Sequence, residues 1–294
     1  MISIIISQYS ALQVDSLKKN IQSTIGVPFE LIVIDNSRGL MGLCQVYNIG
    51  ASRARFELLC FSHEDVELAT VNWGSKVIDL FNANEKLGLL GVAGSGFKSL
   101  SPSGWWYPYA NTQTVFTNYI QSDPHRKEGE LQCSNPRNNT VANVVCVDGF
   151  WFCTRKAIAL QIKFDEDTFK GFHCYDIDFS LAVFRQYEVG VSFEILIKHF
   201  SGGHLSRQWV NDTLMLYKKW EHALPLNVVG LDHKTVINEE IKALDYFQQV
   251  SLEHDIPLKQ SFFLLWSGKI KQLVGFKIHV RQNLKLARTA MKAL

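Results

Sequence analysis

Long apolar runs are missing from this sequence. No stretch approaches the ~18 apolar residues that a helical membrane span needs, so no segment is expected to cross a bilayer. A basic leader is also missing. The first apolar run, Met1 to Ser7, is too short for a secretion signal and reads as a strand. An excess of charge of one sign is missing: the net charge is +2, which argues against a nucleic-acid partner. No two of the six cysteines (Cys44, Cys60, Cys133, Cys146, Cys153 and Cys174) stand in a C-x-x-C pair, so a cysteine zinc site is not expected. Several lie in apolar strand-like runs, where a free thiol packs as a small hydrophobe. The expected setting is the reducing cytoplasm, where the glycosylation patterns Asn138-Asn139-Thr140 and Asn211-Asp212-Thr213 carry no meaning.

What is present is ordinary globular composition. The chain has 294 residues, 47% hydrophobic and 20% charged, enough for a sizeable core and for one large domain with an appendage. Near-continuous apolar runs at Ile2–Ser7, Phe29–Ile34, Leu58–Phe61, Leu87–Ala93, Val144–Cys153 and Val189–Ile197 read as buried strands. Helical spacing appears over Ala11–Ile21, Gly39–Ala54, Val71–Asn84, Tyr175–Tyr187 and Arg207–Trp220. Strand–helix alternation implies an α/β domain with a mostly parallel sheet covered on both faces. Residues 97–144 break that rhythm. They hold Trp105-Trp106-Tyr107 and polar turns such as Asp123-Pro124, and so long an irregular insertion is usually functional or mobile. The Trp-Trp-Tyr cluster can stack on sugar faces or can pin the loop; both readings stand.

Pro225 and the polar stretch to Lys234 mark a boundary between 1–225 and a helical region, 226–294. From Lys269 onward there is no Asp or Glu. Leu273, Phe276, Val280, Leu284, Ala287 and Met291 recur every three or four residues, with Lys277, Arg281, Lys285, Arg288 and Lys292 beside them. Such a helix can pack on the domain, lie on an anionic membrane surface or mediate assembly.

Three segments carry chemistry. His63-Glu64-Asp65 ends a buried strand, where three ionisable groups are costly to bury and therefore face a cleft; in α/β sheets ligands sit at such strand ends. Asp35-Asn36-Ser37 ends the second strand, with an Asx turn as the plain alternative. Asp176 and Asp178 open a helix, where carboxylates also suit the helix dipole. Gly91 and Gly96 have the gap of a phosphate loop, but Phe97 intrudes before Lys98-Ser99, so a tight turn is the better reading.

In order and spacing these pieces resemble the family 2 type of GT-A glycosyltransferases over about residues 1–220. The resemblance rests on Ser7-Gln8-Tyr9, on Asp35-Asn36-Ser37 after Leu31–Ile34, and on Tyr47-Asn48-Ile49-Gly50-Ala51. Ala54 to Asp65 matches "A-x-x-E-x-L/I-x-F-x-D-x-D". Val147–Phe152 is similar to the acceptor-side strand. Phe164-Asp165-Glu166 followed by Tyr175–Phe179 is similar to the "F-D-E … E-D-x-D-L" block, and His199 to the histidine after the last strand. Two positions depart from the pattern: His63 stands for the first acid of D-x-D, and Tyr175 for the glutamate before Asp176.

The resemblance implies a Rossmann-like GT-A domain with mixed, mostly parallel sheet and a C-terminal helical appendage. It implies transfer from a nucleotide-diphosphate sugar, with UDP-sugar ahead of GDP- or dTDP-sugar, to a glycan, lipid-linked or other hydroxyl acceptor. The setting would be surface polysaccharide assembly at the inner face of the membrane, with peripheral contact through 269–294. Mn²⁺ or Mg²⁺ would be held by Asp65 and His199, the latter otherwise a structural strand-end residue. Tyr9, Asp35 and Asn36 would take the nucleotide. His63 would touch the diphosphate or donor sugar, ligate the metal, or merely pack. Trp105, Trp106, Gly149 and Trp151 would face the acceptor. Asp176 would be the general base, Asp178 an orienting or capping group, and Glu64 a bystander. A non-catalytic nucleotide-sugar binder on the same fold is the alternative that the two departures support.

Overall fold

A computed structural model describes residues 1–122, 129–203, 205–254, 256, 264 and 268–293. The turn expected at Asp123-Pro124 and the side chains of Arg288, Met291 and Lys292 lie outside the described part. The chain begins with β1 (Ile2–Gln8), α1 (Ala11–Thr24), β2 (Phe29–Asp35), α2 (Leu43–Arg53) and β3 (Leu58–Ser62). Then come β4 (Val66–Leu68), α3 (Trp73–Ala83), β5 (Leu87–Gly91), β6 (Ala93–Ser95) and β7 (Phe97–Lys98). The stretch from 97 to 144 is not irregular throughout. It holds β8 (Val115–Gln121), β9 (Glu130–Ser134) and β10 (Val141–Val144), where Val115, Phe116, Thr117, Tyr119 and Ile120 supply the β-branched and aromatic side chains that suit a pleated sheet. The remainder is β11 (Cys146–Val147), β12 (Trp151–Arg155), α4 (Lys156–Ile162), α5 (Tyr175–Phe184), β13 (Glu188–Ser192) and β14 (Ile197–His199). It closes with α6 (Arg207–Trp220), β15 (Leu226–Asn227), α7 (His233–Glu253), α8 (Gly268–Val274) and α9 (Phe276–Ala293).

Seven strands form the main sheet in the order β10-β13-β5-β12-β3-β1-β2. The β3-β1-β2 group is parallel, as is β13 with β5, while β12 runs antiparallel between β3 and β5. The sheet is therefore mixed, as the GT-A resemblance implies, but not mostly parallel as expected: β10 also runs antiparallel to β13, so half of the pairings are antiparallel. Side chains alternate between its faces. Leu59 and Phe61 of β3 face α2, α4 and α5, where Tyr47, Ile158 and Phe179 are buried. Leu58 and Cys60 face α1 and α3, where Leu17, Trp73 and Phe81 are buried. Burial of each such large side chain contributes roughly 1.5–3 kcal/mol.

This alternation corrects one expectation. Trp151 falls on the α1/α3 face, is 1% exposed, and packs edge-on against Trp73 with ring centroids 5.9 Å apart. It is a core residue and offers no surface to an acceptor. Lys98 is likewise buried, its ammonium donating to Ser99 O and Ser103 Oγ at 3.1 and 2.9 Å, so the glycine-rich turn before it presents no phosphate-binding lysine.

The second sheet runs β11-β6-β8-β14-β4, with β9 on β8. Its β14–β4 ladder sets His199 opposite Val66, beside the end of β3. Beyond Pro225 the chain returns to the domain. β15 pairs with β7, and Phe247 and Val250 of α7 join the core. Two buried glutamates of α7 seat the loop after β7. Glu240 accepts from the backbone N–H groups of Leu100 and Ser101, both at 2.7 Å. Glu239 accepts from Tyr107 Oη and Asn111 N, both at 2.9 Å.

The last helix packs in a way its periodicity does not announce. His279 and Gln282 are buried, and Lys285 pairs with Asp245 of α7 at 2.7 Å. The apolar positions Phe276, Val280 and Leu284 are 73%, 39% and 56% exposed. Hydrophobic periodicity gives a stripe but not its partner. Among the described residues, no helix is long and apolar enough to cross a membrane.

Candidate functional site

Because β1, β2 and β3 are parallel, Gln8, Asp35 and Ser62 finish at one edge of the sheet. The backbone just beyond β3 is tied on both sides. His63 N–H donates to Phe150 O at 2.9 Å, and Asp65 O accepts from Phe200 N–H at 3.0 Å. Those bonds bring three side chains together. Asp65 Oδ1 lies 3.8 Å from His63 Nδ1 and 3.8 Å from His199 Nε2, and one donor atom from each residue falls within 4.8 Å of the others. Phe150 stacks on the His199 ring at 4.6 Å and 13°.

Asp65 Oδ1 and His199 Nε2 are buried without a hydrogen-bond partner. A buried polar atom left so costs about 1–3 kcal/mol, so two of them aimed at one point need an explanation. A divalent cation supplies one, and a carboxylate with two imidazoles is a donor set that first-row divalent metals accept. Burial pushes His63 down to about 4, with Asp65 opposing and His199 adding to the fall, so its ring is neutral and able to ligate.

Asp176 sits in the first turn of α5 beside Gly149. Burial pushes its carboxyl up to about 7, Asp148 pushes the same way, and backbone N–H groups of Ile177, Asp176 and Gly149 oppose. A carboxylate near 7 is suited to accept a proton at neutral pH. A Cβ on Gly149 would collide with the Tyr175 hydroxyl and stand 3.0 Å from Asp176 Cβ, so only glycine fits there.

A family model described as "glycosyltransferase like family" matches residues 3–221. The chain belongs to that family. No curated protein matches it. Among solved structures it is similar to GalNAc-T7 with UDP, GalNAc and Mn²⁺, at 11% identity and TM-score 0.50, over 87% of this chain and 58% of that one. It is also similar to S. aureus TarS 1–349 in complex with UDP, at 11% identity and TM-score 0.52, over 93% of this chain and 80% of that one. The GT-A fold implied by the motifs is thus the fold observed.

In this glycosyltransferase-like chain the remaining candidate residues form two groups. Around the β1–α1 turn, Tyr9 is 44% exposed and its hydroxyl accepts from Asn36 Nδ2 at 2.9 Å. Asn36 is buried and also bridges to both backbone groups of Met41. Asp35 forms the Asx turn, accepting from Ser37 N at 3.0 Å, which with the Ser37 side chain lowers its pKa. Its side chain stays exposed at the cleft edge. Glu64 is not a bystander. Its carboxylate accepts from Tyr9 N at 2.8 Å and from Ser10 N at 3.0 Å, clamping the turn that carries Tyr9. Strand alternation turns Glu64 away from His63, and only the β1–α1 turn beside it reveals its role. A cavity of about 580 Å³ opens along α1 between Gln13, Leu17, Glu64, Asp65, Phe200 and Gly202; Asp65 reaches it, and Tyr9, Asp35 and Asn36 do not line it.

Ahead of β12, Trp105 donates its indole N–H to Asp148 Oδ2 at 2.5 Å, and Asp148 Oδ1 accepts from Phe150 N at 2.9 Å. Trp106 is half exposed. Phe172 is a residue that motif reading missed. It is half exposed with its ring 5.2 Å from that of His63, and no pattern in the sequence marks it. Asp178 neither caps α5 nor faces the cleft. It is buried against Lys219 at 2.8 Å and Trp220 Nε1 at 2.7 Å, and Lys219 also reaches Asp165 at 2.6 Å, so the group pins α5 to α6.

Proposed function

We propose that this protein is a metal-dependent, inverting glycosyltransferase that takes a sugar from a UDP-sugar and delivers it to the hydroxyl of a glycan or lipid-linked acceptor. The observation that carries the reading is the pair of orphaned buried donor atoms, Asp65 Oδ1 and His199 Nε2, meeting at the strand ends of a GT-A fold. The uridine base is favoured because both similar structures hold UDP. Imidazole donors tilt the metal toward Mn²⁺ rather than Mg²⁺.

Asp65 and His199 would hold the cation, which when bound neutralises the leaving diphosphate. Tyr9, Asp35 and Asn36 would bind the nucleoside, Tyr9 by stacking on the base. Trp105, Trp106 and Gly149 would border the acceptor, with Asp148 fixing the Trp105 indole. The acceptor hydroxyl gives its proton to the Asp176 carboxylate as its oxygen attacks the anomeric carbon. The carbon–oxygen bond to the diphosphate breaks, its electron pair leaves with the diphosphate, and the anomeric centre inverts. The exposed face of α9 supports work at a membrane surface: Phe276, Val280 and Leu284 lie beside Lys277 and Arg281, also exposed.

The direct test is a panel of nucleotide sugars assayed for slow donor hydrolysis, which needs no known acceptor. Hydrolysis of one UDP-sugar that requires Mn²⁺ and stops with EDTA is expected. UDP binding with no metal dependence and no hydrolysis would favour the rival reading, a non-catalytic binder, for which His63 and Tyr175 at motif positions speak. The membrane reading is tested separately by vesicle flotation. The full chain should float with phosphatidylglycerol vesicles and not with neutral ones. With about 1 kcal/mol per basic residue at an anionic surface, K277E/R281E should weaken binding at least about 30-fold. Equal flotation on both vesicle types, or none, would remove the tail from the account.

A further inference from the structure

The two positions at which this chain leaves the family motifs touch each other. His63 Nε2 and Tyr175 Oη are 2.7 Å apart, although 112 residues separate them in sequence. We propose that Tyr175 is a positioning residue that makes His63 a third ligand of the metal site, holding Nε2 so that Nδ1 faces Asp65 and His199. This rests on the reading that Asp65 and His199 hold a cation.

The argument is an accounting of protons. Tyr175 has one hydroxyl proton. Gly149 O can only accept, and it lies 3.0 Å from that hydroxyl. With the hydroxyl proton on the carbonyl, the tyrosine oxygen, which the Tyr47 hydroxyl also approaches, receives from His63. A neutral imidazole has one N–H, so placing it on Nε2 leaves Nδ1 with a bare lone pair. That atom is 3.8 Å from Asp65 Oδ1. Metal-ligating histidines commonly donate the other ring N–H to an outer partner, which fixes both tautomer and ring orientation.

The surroundings keep the tyrosine in place. Its ring is buried, meeting Tyr47 edge-on at 5.6 Å and Phe172 at 6.4 Å. The missing Cβ at Gly149 makes room for the hydroxyl. The acid expected at 63 and the glutamate expected at 175 are thus replaced as a unit: an imidazole donor arrives together with the hydroxyl that orients it.

The experiment is Mn²⁺ binding to the full chain, by calorimetry and by the Mn²⁺ resonance signal, in wild type, Y175F, H63D and H63D/Y175F. Y175F removes only the oxygen. It should weaken Mn²⁺ binding by about 10-fold or more, the range for outer-shell partners. In the H63D background the same change should add no loss, because its route to the metal is gone. Co²⁺ bound in place of Mn²⁺ should show its visible bands shifted in the same sense by Y175F and H63A. Unchanged Mn²⁺ affinity in Y175F overturns the proposal. So does an equal loss in both backgrounds, which would assign Tyr175 to seating the Gly149 turn. Nitrogen NMR of the wild-type imidazoles needs no variant to fold: a proton on His63 Nε2 is expected, and one on Nδ1 would refute the idea. If the wild type bound no Mn²⁺, the metal reading itself would fail, an outcome distinct from wild-type binding that Y175F leaves intact.

Discussion

Asp176→Asn is expected to cut sugar transfer by about 10²–10⁴-fold, the usual contribution of a positioned general base. Mn²⁺ and UDP binding should persist, since Asp176 belongs to neither group of donors. The substitution keeps size and shape, so the Gly149 contact and the start of α5 survive. The pH dependence follows from the same group. With its pKa near 7, Asp176 is a competent base only above that value, so the rate should rise with pH through about 7. Asp148→Asn should move that limb lower by removing repulsion against the ionised form. Stability runs the other way. The folded pKa is raised, so the stabilisation is fully present below the ordinary carboxylate range and is lost as pH rises through about 7. The Asn variant should therefore melt higher than wild type above pH 7 while being nearly inactive. Undiminished turnover in it would remove Asp176 from the mechanism.

Asp65→Ala should abolish measurable Mn²⁺ binding, a larger loss than the about 100-fold that outer-shell partners reach. Asp65 is the one anionic donor among the three clustered residues, and it faces both imidazoles at 3.8 Å. Without it only two imidazoles remain, and UDP binding should become indifferent to Mn²⁺ and EDTA alike. Calorimetry with and without metal reads both effects. Mn²⁺-dependent UDP binding that survives in the variant would place the cation elsewhere.

Much of this was legible along the chain because buried strands announce themselves by composition. The apolar runs before Asp35 and before His63-Glu64-Asp65 are the parallel strands β2 and β3, and α5 opens at Tyr175-Asp176 where its helical spacing begins. What sequence could not supply was direction and partner. Trp151 belongs to an antiparallel strand whose alternation sends it into the core, and no local signal distinguishes that from a cleft residue. Glu64 is read correctly only when the β1–α1 turn is known to sit against it. Asp178 meets Lys219 across 41 residues, and the His63–Tyr175 contact spans still more. The last helix shows its stripe plainly, yet which side faces α7 depends on His279, Gln282 and the Lys285–Asp245 pair.

The glutamates of α7 have a practical consequence for exchanging the loop after β7. The loop that carries Trp105 and Trp106 is seated by carboxylates from a helix more than a hundred residues later. A chimaera that exchanged residues 98–114 alone would take the Tyr107 hydroxyl from Glu239, and it would keep the backbone N–H donors of Leu100, Ser101 and Asn111 in place only if the new loop followed the same path over α7. Loop and helix form one transplantable cassette, so grafts between relatives should carry both or neither.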